Sequence, residues 1–279
     1  MTSSAPVDRL DALLRRFGVE AGLFHSGPLC GINELAVVPG RGHLHVVRRG
    51  RVEVRNADGT HFEAEGPVLL FYPRPLAHRF ATDPDVGAEM ACATVAFGGG
   101  DANPIPRALP GCMQVPLPEG GRLAASATLL FDEAFDAQCG RQLVVDRLFE
   151  VLLVQVLRHA LAEGTTQGGL LAGLSHPRLR HALVAMHESP ARAWTLESLA
   201  ATAGMSRTRF AEAFRETVGS TPADYLAGWR VAVAQDLLRH GRPLKQIAAD
   251  VGYESPAALA RAFKARTGAT PRDFKRVPA

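Results

Sequence analysis

The sequence predicts an α+β chain of two domains: an N-terminal β-barrel with trailing helices, then an all-α domain of two helix-turn-helix units. Three observations predict it. Residues 196–274 state one helical pattern twice, and residues 20–100 alternate short apolar runs with turn signals. The length, 279 residues, is also about twice that of a typical domain of ~100 to 150.

The repeat is the stronger signal. Leu196, Leu199, Ala200, Ala201 and Gly204 recur 48 positions later as Leu244, Ile247, Ala248, Ala249 and Gly252. Phe210, Ala213, Phe214, Gly219, Thr221, Pro222, Asp224 and Tyr225 recur 49 later as Leu259, Ala262, Phe263, Gly268, Thr270, Pro271, Asp273 and Phe274. Each copy reads as a helix with an apolar stripe, a glycine able to turn the chain at positive φ, and a capped second helix. Ser206 and Ser255 are the expected caps, Ser206 as a lone hydroxyl because Arg209 stands where a capping box needs a carboxylate. Phe210, Ala213, Phe214 and Val218 form the buried face of the first unit's second helix, and Leu259, Ala262 and Phe263 that of the second. Such a unit places its second helix in the DNA major groove. A solenoid needs more copies than two.

Charge agrees. Residues 176–279 hold 16 Lys+Arg against 9 Asp+Glu, while residues 1–175 hold 15 against 19. A basic C-terminal third suits phosphate binding, since each neutralised phosphate releases a counterion. The paired units, the linking stretch PADYLAGWRVAVAQDLLRHGRPLKQIAADVGY and the final RAFKARTGATPRDFK resemble the DNA-binding domain of AraC/XylS-family transcriptional regulators. The resemblance implies seven helices, with a central helix near Pro222–Leu238 joining two subdomains that enter successive major-groove segments. Proline at 222 suits a first helical turn, and Tyr225, Leu226, Trp229, Val233 and Leu237 supply packing between halves.

In the first unit Arg207, Thr208 and Glu212 project early from the recognition helix, where arginine can bond guanine and glutamate can accept from cytosine. Arg209 and Arg215 suit phosphates equally well. The second unit departs from the family pattern, because Pro256, Ala257, Ala258 and Ala260 occupy outward positions that usually carry polar groups. Arg261 is its strong base reader, supported by Lys264 and backbone contacts. The alternative for Arg261 is a surface ion pair with Asp250 or Glu254. The first unit is therefore expected to dominate sequence choice.

Upstream, Ala162–Ser175, AEGTTQGGLLAGLS, is small and nearly uncharged and reads as a linker between a domain of residues 1–161 and one of 176–279. Arg122–Leu161 is predicted helical, with stripes Leu123, Ala127, Leu130, Phe131, Ala134 and Leu148, Val151, Leu152, Val154, Gln155, Leu157. These helices suit either a homodimer contact or cover for their own domain.

Residues 20–100 carry LHVVRRGRVEVR and PVLLFYP between Gly, Pro and Asp58-Gly59 turns, which predicts a small antiparallel barrel or sandwich. GHLHVVRRGRVEV followed by EGPVLLFYPRPLAH resembles the two-motif pattern of cupin barrels, and the cupin-type sensory domain joined to one branch of AraC/XylS regulators. At the positions of cupin metal ligands stand His43, His45 and His78; His-X-His on a strand puts both imidazoles on one face. The carboxylate that usually follows is replaced by Arg48 and Arg49. The histidines are therefore either ligands for a divalent metal, the one cofactor the barrel offers, or hydrogen-bonded core residues.

Four cysteines, Cys30, Cys92, Cys112 and Cys139, form no CxxC pair, which argues against a disulfide framework or zinc ribbon. The family resemblance makes Cys30 and Cys92 candidate oxidant sensors; Cys112 and Cys139 read as packing residues. MTSSAPVDRLDALLRRF is too polar for a signal peptide and no apolar run approaches a membrane span, so a cytoplasmic protein is expected. The implied partners are double-stranded DNA, an effector (small molecule, metal or oxidant), RNA polymerase and a second copy, with no membrane. A ligand- or redox-responsive regulator, expected to be an activator, accounts for repeat, charge split and linker together. A metal-binding cupin enzyme fused to a DNA-binding module would need a complete metal shell or a nucleophile with its base, and an architectural DNA-binding protein would not need a separate acidic barrel.

Overall fold

The computed structural model describes residues 7–136, 138–164 and 168–275. The polar residues 1–6 and positions 165–167 of the expected linker lie outside them. The chain divides into two compact units.

One unit comprises Val19–Phe97 and Leu109–Glu163. Its strands are β1 (Val19–Leu29), β2 (Ile32–Leu35), β3 (Gly42–Arg49), β4 (Arg51–Asn56), β5 (His61–Glu65), β6 (Val68–Tyr72), β7 (His78–Ala81), β8 (Ala88–Phe97) and β9 (Met113–Pro116). All pairings are antiparallel, in a five-stranded sheet β1-β8-β3-β6-β9 and a four-stranded sheet β2-β7-β4-β5. Val47, Leu70, Met90 and Cys92 from the first sheet share one core with Val52, Val54, Ala64 and Phe80 from the second, so the predicted barrel is a two-sheet sandwich. Leu44, Val46, Leu69, Phe71, Ala91 and Ala93 alternate with these along β3, β6 and β8 and are also fully buried. The five-stranded sheet is thus covered on both faces, which is why LHVV and VLLFY read as continuous rather than alternating apolar runs.

Two helices follow as expected, α3 (Arg122–Phe135) and α4 (Arg141–Glu163). The α3 stripe holds, with Ala127, Leu130, Phe131 and Ala134 buried. On α4 the buried stripe is Val145, Phe149, Leu152, Leu153, Val156, Leu157, Ala160 and Leu161. Val151, assigned inward by the sequence, is 45% exposed, as are Leu129 and Leu143 to similar or larger extents. The carboxylate of Asp146 accepts from Leu23 N–H at 2.8 Å, tying α4 to β1.

The other unit gathers the described residues up to Gly18, Gly98–Ala108 and those from Gly164 on. Its helices are α1 (Asp11–Phe17), α2 (Pro104–Ala108), α5 (Gly169–Ser175), α6 (Leu179–Glu188), α7 (Leu196–Thr202), α8 (Arg207–Val218), α9 (Pro222–Arg239), α10 (Leu244–Asp250), α11 (Pro256–Thr267) and α12 (Pro271–Phe274). The helices α6 to α12 match the seven that the resemblance implied.

Two sequence boundaries change. Gly169–Ser175, expected as linker, is helix α5 with Leu170, Leu171 and Leu174 buried. Its Gly173 serves close packing rather than flexibility: a Cβ there would lie 2.5 Å from Leu183 Cδ1 and 2.9 Å from Val218 Cγ2. Leu170, Leu171 and Leu174 sit at helical spacing, so apolar burial outweighs the glycines' entropy cost. The second change is that α1 and Gly98–Ala108, expected within the N-terminal domain, group with the C-terminal helices.

Candidate DNA-reading helices and sensory cluster

The repeat has a repeated mechanical cause. In both copies Thr-Pro-x-Asp opens a helix: Thr221 accepts from Asp224 N–H and Thr270 from Asp273 N–H, each at 3.2 Å, with proline in the first turn. The aromatic pair that seals each unit is also repeated. Phe214 meets Tyr225 edge-on at 5.7 Å and 73°, and Phe263 meets Phe274 at 5.4 Å and 72°. Gly204 (φ 63°) and Gly252 (φ 82°) make the turns in the left-handed region.

These supports fix the outward faces of α8 and α11. Phe210, Phe214 and Val218 are buried on α8, leaving Arg207, Thr208, Arg209, Glu212 and Arg215 exposed. On α11, Leu259 and Phe263 are buried while Pro256, Arg261 and Lys264 are exposed. Ser255 caps α11 by accepting from Ala258 N–H at 3.2 Å. Ser206 occupies the cap position of α8 with extended backbone but its side chain makes no capping bond, which corrects the expected hydroxyl cap.

Ion pairs separate the arginines. Arg207 donates to Glu197 at 2.9 Å, an exposed pair that also holds the Glu197 carboxyl below its usual range. Asp250, offered as an alternative partner for Arg261, instead takes Arg242 at 3.1 Å. Arg261 has no ion pair among the described residues and its guanidinium is presented to solvent. Arg266 is spent inside the unit, on Asp224 Oδ1 at 2.5 Å. The tether on Arg207 was not visible in the sequence, because Glu197 lies on the preceding helix and the two meet only after the glycine turn.

In the sandwich, strand register brings the three histidines together. His43 pairs with Tyr72 and His45 with Leu70 across β3 and β6, and His45 pairs with Cys92 across β3 and β8. Directly opposed residues share a face, so His43, His45, Tyr72 and Cys92 all enter the core between the sheets. His78 arrives from β7, its ring stacked on Tyr72 at 4.0 Å and 5°. All three histidines are buried, and one nitrogen of each lies within 4.8 Å of the others. His45 Nε2 and His78 Nε2 are 2.9 Å apart.

Hydrogen bonding sets the tautomers. His78 Nδ1 lies 2.8 Å from the Leu76 carbonyl, so it carries the proton and leaves Nε2 with a bare lone pair aimed at the cluster. His43 Nδ1 and His45 Nδ1 find no hydrogen-bond partner among the described residues. Burial lowers all three pKa values, His78 to about 4 and His45 well below the usual value, so the rings are neutral near pH 7. Neutral imidazoles, one of them oriented by a backbone carbonyl, fit a borderline divalent ion such as zinc. Without an ion, the 2.9 Å contact between His45 Nε2 and His78 Nε2 is a hydrogen bond in which His45 donates. A cavity of about 390 Å³ is lined by His78, Glu34, Arg55, Asn56 and Arg79.

The cysteine candidates are placed apart. Register sets Leu29 opposite Ala88 and His25 opposite Cys92. Cys30 follows Leu29 and lies five residues beyond His25, so about 16 Å of strand separates the two cysteines, beyond the ~7 Å Cα limit of a disulfide. Cys92 is 1% exposed and burial pushes its thiol up, which disfavours the reactive thiolate. Cys30 is exposed. Cys112, which packs against the sandwich core, is raised to about 11 by burial.

A two-sheet sandwich with a buried ligand-grade cluster, carried on one chain with paired helix-turn-helix units, defines a DNA-binding regulator with a sensory domain. The comparisons agree: residues 8–162 match the cupin family and residues 199–276 a helix-turn-helix domain. An AraC-like transcription regulator of Streptomyces lividans is 34% identical over 84% of this chain and 86% of its own length. The RCS-specific HTH-type transcriptional activator RclR of Escherichia coli is 28% identical over 88% and 86%. The DNA-binding domain of AdpA, solved with a target DNA, is 32% identical over 36% of this chain and 91% of its own, with a TM-score of 0.35. The chain belongs to the AraC-like transcription regulators, in the branch with a cupin-type N-terminal domain. No helix among the described residues is long and apolar enough to cross a membrane.

Proposed function

We propose that this regulator is an activator acting in the cytoplasm, and that a divalent metal held by His43, His45 and His78 sets its affinity for DNA. The convergence of three buried imidazoles carries this reading, with ligand nitrogens within 4.8 Å. Arg207, Thr208, Glu212 and Arg261 read bases, while Arg209, Arg215 and Lys264 hold phosphates, with Ser206, Ser255 and Pro256 at the helix starts nearest the backbone. RNA polymerase is the partner of the activation step, and exposed Leu129, Leu143 and Val151 offer a contact for a second copy. The test is metal uptake by the purified full chain, measured by calorimetry with zinc(II), nickel(II) and copper(II), together with affinity for its own upstream DNA. Wild type should take up one ion per chain and change DNA affinity on doing so; H45A and H78A should do neither. Uptake by H45A with wild-type affinity would remove the metal reading.

Exposed Cys30 supports a second reading, in which an oxidant is the effector. In that case mild oxidation changes the footprint and C30S abolishes the change, whereas C92S leaves it intact.

A further inference from the structure

We infer that the DNA-binding unit is clasped by two pieces of chain from the N-terminal half, residues 8–18 and 98–108, and that this clasp conveys the state of the sandwich to the central helix α9. The inference stands apart from the identity of the effector; only its link to His45 rests on the metal reading above.

The two pieces leave the sandwich side by side. The pairing of β1 with β8 begins at Val19 opposite Phe97, and the next residues outward, Gly18 and Gly98, are themselves joined by a hydrogen bond from Gly98 N–H to Gly18 O at 3.4 Å. This junction admits only glycine. A Cβ on Gly98 would lie 1.4 Å from the Phe17 carbonyl oxygen, and one on Gly99, at φ 81°, would lie 2.4 Å from the Phe17 ring. Asn103, 1% exposed, closes the second piece on itself, donating to Gly98 O at 3.0 Å and accepting from Ile105 N–H at 2.9 Å.

Both pieces then hold α9. Phe17 meets Trp229 edge-on at 5.6 Å, and the Arg239 guanidinium donates to the Gly99 carbonyl. Trp229 and Arg239 are ten residues apart, about 15 Å along a helix, so the clasp spans most of the element that joins the two reading units. Leu13 and Phe17 are buried within this unit at 0% and 5% exposure. Upstream, β8 lies beside β3 with Cys92 opposite His45, so a shift at the cluster reaches Gly98 through one ladder pairing and six residues of chain.

The experiment uses the full chain with Trp194→Phe, which leaves Trp229 as the sole tryptophan. In that background, F17A and N103A should shift Trp229 emission to longer wavelength, raise acrylamide quenching at least twofold and change upstream-DNA affinity at least fivefold. V86A, at a 78% exposed position just before β8, should leave all three unchanged. N103A removes only bonds internal to the second piece, so it carries the test if F17A fails to fold. Unchanged shielding overturns the clasp. Exposed Trp229 with unchanged DNA affinity overturns its role as a conveyor. Failure of wild type to bind zinc(II) removes the metal reading alone and leaves both readouts standing.

Discussion

Replacing Arg261 with alanine isolates one base contact. Arg261 is exposed on α11, makes no ion pair among the described residues, and sits on a helix whose cap and core do not involve it. Truncation therefore leaves no buried partner behind, and the lost affinity reports the DNA contact. A bidentate arginine–guanine contact is worth about 1 to 3 kcal/mol, or roughly 5- to 150-fold in affinity. The assay is fluorescence anisotropy on a selected site and on single-base variants, repeated across a salt series. R261A should bind the selected site 5- to 150-fold more weakly, tolerate substitution at one base pair, and keep its salt slope within about 1 of wild type. Unchanged affinity would refute the assignment. A uniform loss on every sequence, with no relaxed position, would make Arg261 a phosphate contact.

Arg207 differs from Arg261 in being tethered, so E197A should free it and alter affinity with no change in fold; identical binding by E197A would mean that the 2.9 Å pair is not kept in solution. The cap asymmetry predicts that S255A costs about 1 kcal/mol in urea unfolding of the C-terminal unit and S206A less than about 0.5, and equal losses would contradict the observed bonding. Burial holds His187, paired with Tyr225 OH at 2.6 Å, down at about 3, so the unfolded state binds the proton first below pH 6.5. Stability conferred by neutral His187 is full above pH 6.5 and should fall at up to about 1.4 kcal/mol per pH unit as pH drops towards 3. H187Q should remove one proton from that slope, and an unchanged slope would show that His187 ionises freely in the folded chain.

Much of the C-terminal unit was legible because it is local. Helix caps, turn glycines and the apolar stripes act within a few residues, and repetition printed each signal twice. Arg207's tether and Ser206's missing bond were not legible, since both depend on side-chain directions after a turn. The reading of GGLLAGLS as linker failed because glycine at 173 signals close helix approach as readily as flexibility. The membership of α1 and 98–108 is non-local and carries no periodicity of its own. For the histidines, His-X-His fixed a shared face, but its meeting with His78 required the β4–β7 and β3–β6 registers, and no sequence spacing encodes those. The placement of the cysteines was hidden for the same reason: Cys30 lies just beyond the end of β1 and Cys92 within β8, and only the β1–β8 register sets them apart.

The most direct measurement is selection of bound DNA from a random library by the full chain, followed by footprinting of the winner. Two reading helices on one rigidly packed central helix should select a bipartite site with half-sites about 10 bp apart, protected on one face of the duplex. R209A and R215A should weaken it uniformly, and R261A should relax one position. Recovery of DNA with no shared sequence, bound with equal affinity to unselected DNA, would contradict the account.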